Sequence, residues 1–189
     1  FMSVLKIGIS SRALFDLNDS HDVYVKHGIK KYSDYQRKHE DKKLQKGAAF
    51  QLVQKLLDMN TAKRRIVEVI LLSRNSSETG LRIFNSIEKY ELEIAKAVFS
   101  GGESPFPYVD ALDIDLFLSA DISDVKLAIE NKIAAAHILT EQLNQSSSPQ
   151  LRIAFDADAV IFSDESEKLF KTKGLEKYLE KEGKSSKPI

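Results

Sequence analysis

The sequence predicts an α/β fold built on a parallel sheet. Short apolar runs alternate with longer amphipathic stretches along the 189 residues, and this alternation is typical of strands joined by crossover helices. The clearest run, residues 66–72, is almost wholly aliphatic and β-branched, which indicates a strand buried on both faces. Hydrophobic residues make up 42% of the chain, enough for one domain or for one domain and part of a second.

Further apolar runs predict the remaining strands, and helical periodicity predicts the segments between them. The other predicted strands are residues 4–9, 98–99, 116–118 and 151–155. The predicted helices are residues 25–38, 44–59 and 79–93, a helix that follows Ser123 as its N-cap, and a last helix opened by residues 163–167. Pro105 and Pro107 predict an irregular loop.

A serine-rich stretch divides the chain into two predicted parts. Residues 144–149 are the only low-complexity segment, which predicts a loop or boundary, and we place the Ser-rich loop at residues 146–150. Residues 1–145 are then an N-terminal α/β half, and residues 151–189 begin a second half with a strand and a helix of its own. Residues 7–15 loosely resemble residues 153–162, which suggests an internally duplicated architecture.

The composition excludes several classes of function. The 28 basic and 28 acidic residues balance, so no global field favours a nucleic-acid polymer or a membrane surface. The absence of cysteine excludes disulfides, thiolate nucleophiles and cysteine-ligated metal sites. No apolar run in the sequence approaches the roughly 18 residues that a membrane span needs. We therefore expect a cytoplasmic protein.

Polar residues follow three of the predicted strands at their carboxyl ends, which is where open parallel sheets bind ligands. They are Ser10, Ser11 and Arg12 after the first strand, Ser73 and Asn75 after the second, and Asp121 after residues 116–118. These side chains are candidates to bind phosphate, or a metal in the case of Asp121. The serines are equally placed to bond strand ends, and Asp121 to cap the next helix, so both interpretations stay open.

Asp156 and Asp158 directly follow the apolar run 151–155. Two carboxylates this close repel each other and raise one pKa unless a cation offsets their charge. Mg²⁺ suits the pair, because it prefers hard oxygen ligands and keeps several waters and a phosphate oxygen. One carboxylate can then attack phosphorus while the other transfers protons. A calcium loop is a poorer interpretation, because the following acidic residues lack its spacing and its glycine.

Five segments carry a resemblance to a known family. Residues 155–167, with the sequence Phe-Asp-Ala-Asp-Ala-Val-Ile-Phe-Ser-Asp-Glu-Ser-Glu, resemble the signature of the cytosolic 5′-nucleotidase type I family, part of the haloacid dehalogenase-like superfamily. The other segments are residues 9–15, 82–87, 101–105 and 116–121, in the family's order along nearly the whole chain. The resemblance implies a Rossmann-like fold of the haloacid dehalogenase type.

The resemblance also implies an activity and assigns residues to it. It implies Mg²⁺-dependent hydrolysis of nucleoside 5′-monophosphates, with Asp156 as the nucleophile and Asp158 as the general acid/base. It places the Asp156 carboxylate and the Asp158 backbone carbonyl on the metal. It is also compatible with a homo-oligomer.

One departure from the family's pattern concerns length. Only 33 residues follow Asp156, whereas the superfamily's remaining catalytic groups usually lie downstream. Each further strand–helix unit needs about 30 residues, so we expect the C-terminal part of the site to be missing from this chain. In the alternative, permuted arrangement, Ser73 and Asn75 hold phosphate and Asp121 binds Mg²⁺. Two other functions compete: a phosphatase for another small phosphate ester, and a non-catalytic nucleotide-binding fragment.

Overall fold

The computed structural model describes residues 3–140, 148, 150–154 and 165–184. The chain divides into two compact units, residues 1–151 and residues 152–189. Asp156 and Asp158 lie outside the described residues. The structure therefore bears on the candidate residues of the first unit alone.

A five-stranded sheet in which all neighbouring strands are parallel forms the centre of the first unit. Its strands are β1 (Leu5–Ser10), β4 (Val67–Ser73), β5 (Lys96–Phe99), β6 (Leu116–Ser119) and β7 (Ala135–His137). They lie in the order β5-β4-β1-β6-β7, so β1 is central. The predicted parallel α/β class is confirmed, and β7 is an edge strand that the sequence analysis missed.

Helices pack on both faces of this sheet. They are α1 (Ser11–Leu14), α2 (Asn18–Lys38), α3 (Phe50–Leu57), α4 (Ser77–Lys89), α5 (Phe106–Ala111) and α6 (Ile122–Glu130). Leu71 of β4 shares one apolar cluster with Ile83 of α4, whereas Leu72 shares the opposite cluster with Val109 of α5. The predicted burial of this strand on both faces is thus confirmed. None of the helices in the described residues is long and apolar enough to cross a membrane.

A two-stranded antiparallel ribbon follows the central strand. Its strands are β2 (Phe15–Asp16) and β3 (Gln45–Lys46), with the long helix α2 inserted between them. Gly47 closes the ribbon against α1, since its backbone N–H donates to the carbonyl of Leu14. A Cβ at Gly47 would lie 2.6 Å from the carbonyl oxygen of Ala13, so only glycine fits this approach.

Three predicted elements differ from the structure. The helix predicted over residues 44–59 begins only at Phe50, because residues 45 and 46 pair in the ribbon. The helix predicted over residues 25–38 begins at Asn18 and is interrupted at Gly28, where φ is 75°. The loop predicted around Pro105 and Pro107 contains α5, because proline is tolerated in the first turn of a helix.

From residue 151 onward, one predicted element is wrong and one is confirmed. Residues 151–154 form no strand, contrary to the predicted strand 151–155, and Phe155 lies outside the described residues. The apolar pattern alone was not sufficient, because a strand also needs a neighbouring strand with which its backbone groups can pair. The last helix is present as α7 (Glu165–Lys184), interrupted at Gly174, where φ is 81°.

Replacing Leu71 with alanine tests whether β4 anchors the first unit. Leu71 is 0% exposed, so we expect Leu71→Ala to lower the free energy of unfolding by about 2–5 kcal/mol, measured by chemical denaturation. The control is Leu81→Ala, because Leu81 of α4 is 45% exposed. Equal losses from the two variants would contradict this packing of β4.

Candidate functional site

The carboxyl ends of β4, β1 and β6 lie side by side at one edge of the sheet, and we call this edge the strand-end rim. From β1 the chain moves outward to β4 and β5, then returns to the other side of β1 for β6 and β7. Such a reversal is a topological switch point, where open parallel sheets leave a crevice for ligands. The three strands end at Ser10, Ser73 and Ser119, so the candidate residues after each strand meet at this rim.

Hydrogen bonds between serine hydroxyls and neighbouring strands hold the rim together. Ser11 Oγ and Ser73 Oγ lie 3.0 Å apart, and the backbone N–H of Asn75 donates to Ser73 Oγ at 3.2 Å. Ser10 Oγ accepts from the backbone N–H of Ala120 at 3.0 Å, which joins β1 to the loop after β6. These serines therefore bond strand ends, one of the two roles that their sequence positions allowed.

An ion pair with a buried carboxylate connects the loops at the rim. Arg74 donates two hydrogen bonds to the Asp124 carboxylate, Nη2 to Oδ1 at 2.5 Å and Nε to Oδ2 at 3.3 Å. Ser104 Oγ, from the loop after β5, donates to Asp124 Oδ1 at 2.8 Å. Asp124 is only 4% exposed. One carboxylate on α6 thus fixes the loops that follow β4 and β5.

Asp121 is the N-cap of α6, so the predicted N-cap at Ser123 is wrong. The Asp121 Oδ1 atom accepts from the backbone N–H of Ser123 at 2.8 Å, which satisfies a free donor of the first helical turn. Partial burial raises the pKa of Asp121, but hydrogen bonds from Ser123 and the nearby Arg74 charge outweigh burial and hold this pKa below its usual value. Asp121 is therefore ionised at neutral pH.

The guanidinium of Arg74 lies close to two carboxylates, those of Asp121 and Asp124. Arg74 Nη2 lies 3.7 Å from Asp121 Oδ2 and 2.5 Å from Asp124 Oδ1, so it occupies the position between the two carboxylates. No group of three or more His, Cys, Asp or Glu residues that could hold a metal occurs in the described residues. The described rim alone does not fit Mg²⁺, and the assignment of Asp121 as a metal ligand stays a prediction.

Arg12 differs from the other candidates, because its side chain is exposed. Within the described part of the chain, no ion pair and no hydrogen bond joins its guanidinium to the serine network. Its pocket is lined by Asp16, Leu17, Asn18, Gly47, Ala48 and Thr140. The structure thus brings Ser10, Ser11, Ser73 and Asn75 into contact with one another or with neighbouring strands. The exposed Arg12 guanidinium remains available to an anion.

Tyr32 of α2 is a residue at this rim that the sequence analysis missed. Its hydroxyl donates to Asn75 Oδ1 at 3.0 Å, and Gln36 Nε2 donates to that hydroxyl at 3.1 Å. Tyr32 and Gln36 are four residues apart, so their shared helical face was readable from the sequence. Their contact with a strand end was not, because it depends on how α2 packs.

Comparisons with known proteins identify the family. A family model described as 5′-nucleotidase matches residues 1–189. The human protein named Cytosolic 5′-nucleotidase 1B is 34% identical over 186 residues, covering 94% of this chain. This chain belongs to the 5′-nucleotidase family. The resemblance carried by the five sequence segments is therefore confirmed.

The match covers nearly all of this chain but only part of the human relative. This family member spans about 30% of the length of the human protein. Among solved structures, the HAD domain of effector protein Lem4 from Legionella pneumophila aligns with a TM-score of 0.43 and 11% identity, over 76% of this chain and 89% of that chain. An inactive mutant of the same domain aligns with a TM-score of 0.43 over 88% of its chain.

Replacing Arg74 tests the ion pair that joins the loops. Arg74→Met leaves the buried Asp124 carboxylate without its main donor, so we expect unfolding to become easier by about 2 kcal/mol at pH 7 in chemical denaturation. Asp124→Asn in the same background should recover part of this loss. Arg37→Met is the control, since Arg37 and Asp34 form an exposed pair, and exposed ion pairs contribute little to stability. A comparable loss in the control would refute the special role of Arg74.

Two substitutions at Asp121 separate its capping role from its charge. Asp121→Ala removes the cap of α6 and should cost about 1 kcal/mol of stability, whereas Asp121→Asn keeps a good capping side chain and should cost much less. Thermal and chemical unfolding of both variants measure the difference. If asparagine destabilises as much as alanine, the charge next to Arg74 matters more than the cap.

Proposed function

We propose that the protein is a 5′-nucleotidase that hydrolyses nucleoside 5′-monophosphates to nucleoside and phosphate. The observation that carries the proposal is the match of the 5′-nucleotidase family model to residues 1–189, a range that includes Asp156 and Asp158. The human relative's name supports the same substrate class. The balanced charge of the chain suits a small substrate rather than a nucleic-acid polymer. A cytoplasmic location and a homo-oligomeric state remain predictions.

The proposed chemistry proceeds in two steps through an aspartyl-phosphate. A carboxylate oxygen of Asp156 attacks phosphorus in line, and the bond from phosphorus to the ribose 5′-oxygen breaks. Asp158 gives its proton to that leaving oxygen, which releases the nucleoside. A water molecule then attacks the phosphorus of the intermediate and gives a proton to Asp158. The bond from phosphorus to the Asp156 oxygen breaks, inorganic phosphate leaves, and both carboxyl groups return to their starting states.

We propose Mg²⁺ as the metal, with the Asp156 carboxylate and the Asp158 backbone carbonyl as its protein ligands. When bound, the ion would offset the negative charge of the phosphate and the carboxylates. Asp121 would join this set only in the permuted arrangement. There it would have to exchange its present contact with Arg74 for the metal.

The strand-end rim is the proposed binding place for the phosphate group or the rest of the nucleotide. Arg12 and the Asn75 amide have the free donor capacity for this role among the described residues. Ser10, Ser11 and Ser73 would act mainly by holding the rim in shape, because their hydroxyls already bond neighbouring strands. Arginine suits phosphate because its planar donors match two phosphate oxygens.

Two alternative functions share some features with the proposed nucleotidase. A phosphatase for another small phosphate ester would use the same aspartate pair, and a panel of nucleotides and sugar phosphates separates it from a nucleotidase. A non-catalytic nucleotide-binding protein would bind nucleotide without turnover. The aspartate pair supports hydrolysis, since its two carboxyl groups could supply both the nucleophile and the proton donor of the reaction.

Replacing Asp156 tests the proposed nucleophile. We expect Asp156→Asn to lower phosphate release from AMP or IMP by at least about a thousandfold, because an amide cannot form the phosphoenzyme. Phosphate release with Mg²⁺, measured on the intact protein, gives the rate. Asp164→Asn is the matched control and should keep most of the activity. Equal activity in wild type and Asp156→Asn would overturn the mechanism, and wild-type hydrolysis of sugar phosphates alone would overturn the substrate.

A further inference from the structure

A chain of four polar side chains runs from the interior of the first unit to the strand-end rim, and we call it the polar relay. Arg82 Nη1 donates to Gln36 Oε1 at 3.2 Å, Gln36 Nε2 donates to the Tyr32 hydroxyl at 3.1 Å, and that hydroxyl donates to Asn75 Oδ1 at 3.0 Å. Gln36 is 2% and Arg82 is 6% exposed. The relay joins α4 and α2 to the loop after β4.

Arg82 determines the direction of every hydrogen bond in this relay. A guanidinium can only donate, so it fixes the Gln36 oxygen as the acceptor and turns the Gln36 NH₂ group toward Tyr32. The Tyr32 oxygen then accepts, and its own proton points to Asn75. This proton selects the Asn75 oxygen, so the Asn75 NH₂ group is left at the end of the relay. The orientation of the Asn75 amide thus follows from the one group in the relay that has a single possible hydrogen-bonding role.

The donor at the end of the relay has no partner among the residues that the structure describes. Asn75 Nδ2 is a buried side-chain nitrogen without a hydrogen bond in the described part of the chain. An unsatisfied buried donor costs about 1–3 kcal/mol, so such a group calls for a ligand or a function. Asn75 lies two residues after the end of β4, and its backbone N–H already donates to Ser73 Oγ. The unpaired NH₂ group therefore belongs to the strand-end rim.

Arg82 is a buried cation whose contacts in the first unit are with neutral groups. Its Nε donates to the carbonyl oxygen of Lys42, and its guanidinium lies 5.9 Å from the ring of Tyr35. No ion pair among the described residues involves Arg82, so a buried cation is held by neutral acceptors alone. Burying a charge without a counter-ion is costly. A phosphate dianion bound at the other end of the relay would supply a negative charge that attracts this cation.

We propose that Arg82 is a positioning residue for phosphate recognition: through Gln36 and Tyr32 it holds the Asn75 amide with its NH₂ group ready to donate to a phosphate oxygen of the nucleotide. This inference rests on the proposed function and deepens it. Asn75 Nδ2 is shielded from solvent, so the atoms that cover it would have to move before a phosphate oxygen could contact it. Arg82 itself touches no substrate in this proposal.

Reversing the direction of the relay is the decisive test. In Gln36→Glu the new carboxylate accepts from both Arg82 and Tyr32, so the Tyr32 oxygen accepts from the Asn75 NH₂ group and the Asn75 oxygen becomes the unpaired end. We expect the Kd for inorganic phosphate and the KM for AMP to rise at least about tenfold. Thermal stability should stay level or increase, because the introduced carboxylate pairs with the Arg82 guanidinium.

Two more variants distinguish orientation from stability and from charge. Tyr32→Phe removes one link at nearly constant volume, so the Asn75 amide loses its orientation and phosphate binding should weaken a few-fold. Tyr32→Phe also tests the relay if Gln36→Glu fails to fold. Asn85→Asp makes the same amide-to-carboxylate change outside the relay, where Asn85 Nδ2 donates to the Glu40 carbonyl between α4 and the end of α2. It should lower stability while changing the phosphate Kd by less than about twofold.

The measurements are calorimetric titration of the intact protein with inorganic phosphate and steady-state kinetics with AMP. Weaker phosphate binding in Gln36→Glu with undiminished stability supports the relay. Unchanged Kd and KM in both Gln36→Glu and Tyr32→Phe, in an active protein, overturn the relay and leave the nucleotidase proposal standing. Phosphate binding without hydrolysis of any phosphate ester overturns the nucleotidase proposal, while the phosphate titrations still test the relay. No phosphate binding by the wild type overturns the relay.

Discussion

The pairing of β1 between β4 and β6 is the constraint on which the remaining features of the first unit depend. Ser10 pairs with Leu72 on one side, and Ile9 pairs with Leu118 on the other. In a parallel sheet this register brings the ends of all three strands to one edge. A slip of one residue would turn each side chain of β4 to the opposite face of the sheet and separate the serines whose hydroxyls bond across the strands.

Much of the fold could be predicted, because its strands carry a strong local signal. Residues 66–72 are apolar at every position but one, since helices cover both faces of β4. The elements that were missed lack such a signal. The ribbon strands β2 and β3 have two residues each, and β7 carries the sequence Ala-Ala-His. Residues 151–154 show the converse error, in which an apolar run forms no strand.

In the candidate site, the positions of the side chains could be predicted, but their roles could not. Adjacency in the chain placed Ser10, Ser73 and Asp121 after strands, and the parallel sheet then brought those strand ends together. The roles of the side chains could not be predicted, because they depend on partners distant in sequence. Arg74 pairs with Asp124 fifty positions later, and Tyr32 meets Asn75 only through the packing of α2. Asp156 and Asp158 lie outside the described residues, so their roles rest on their own motif and on the family.

The guanidinium of Arg74 between Asp121 and Asp124 gives the rim a property that a bound ion would not. A metal in that position would come and go with its free concentration, and a chelator would remove it. Arginine stays protonated at any physiological pH and is covalently part of the chain. The loops after β4, β5 and β6 are therefore held in place before any ligand or cation arrives, without a dissociable ion.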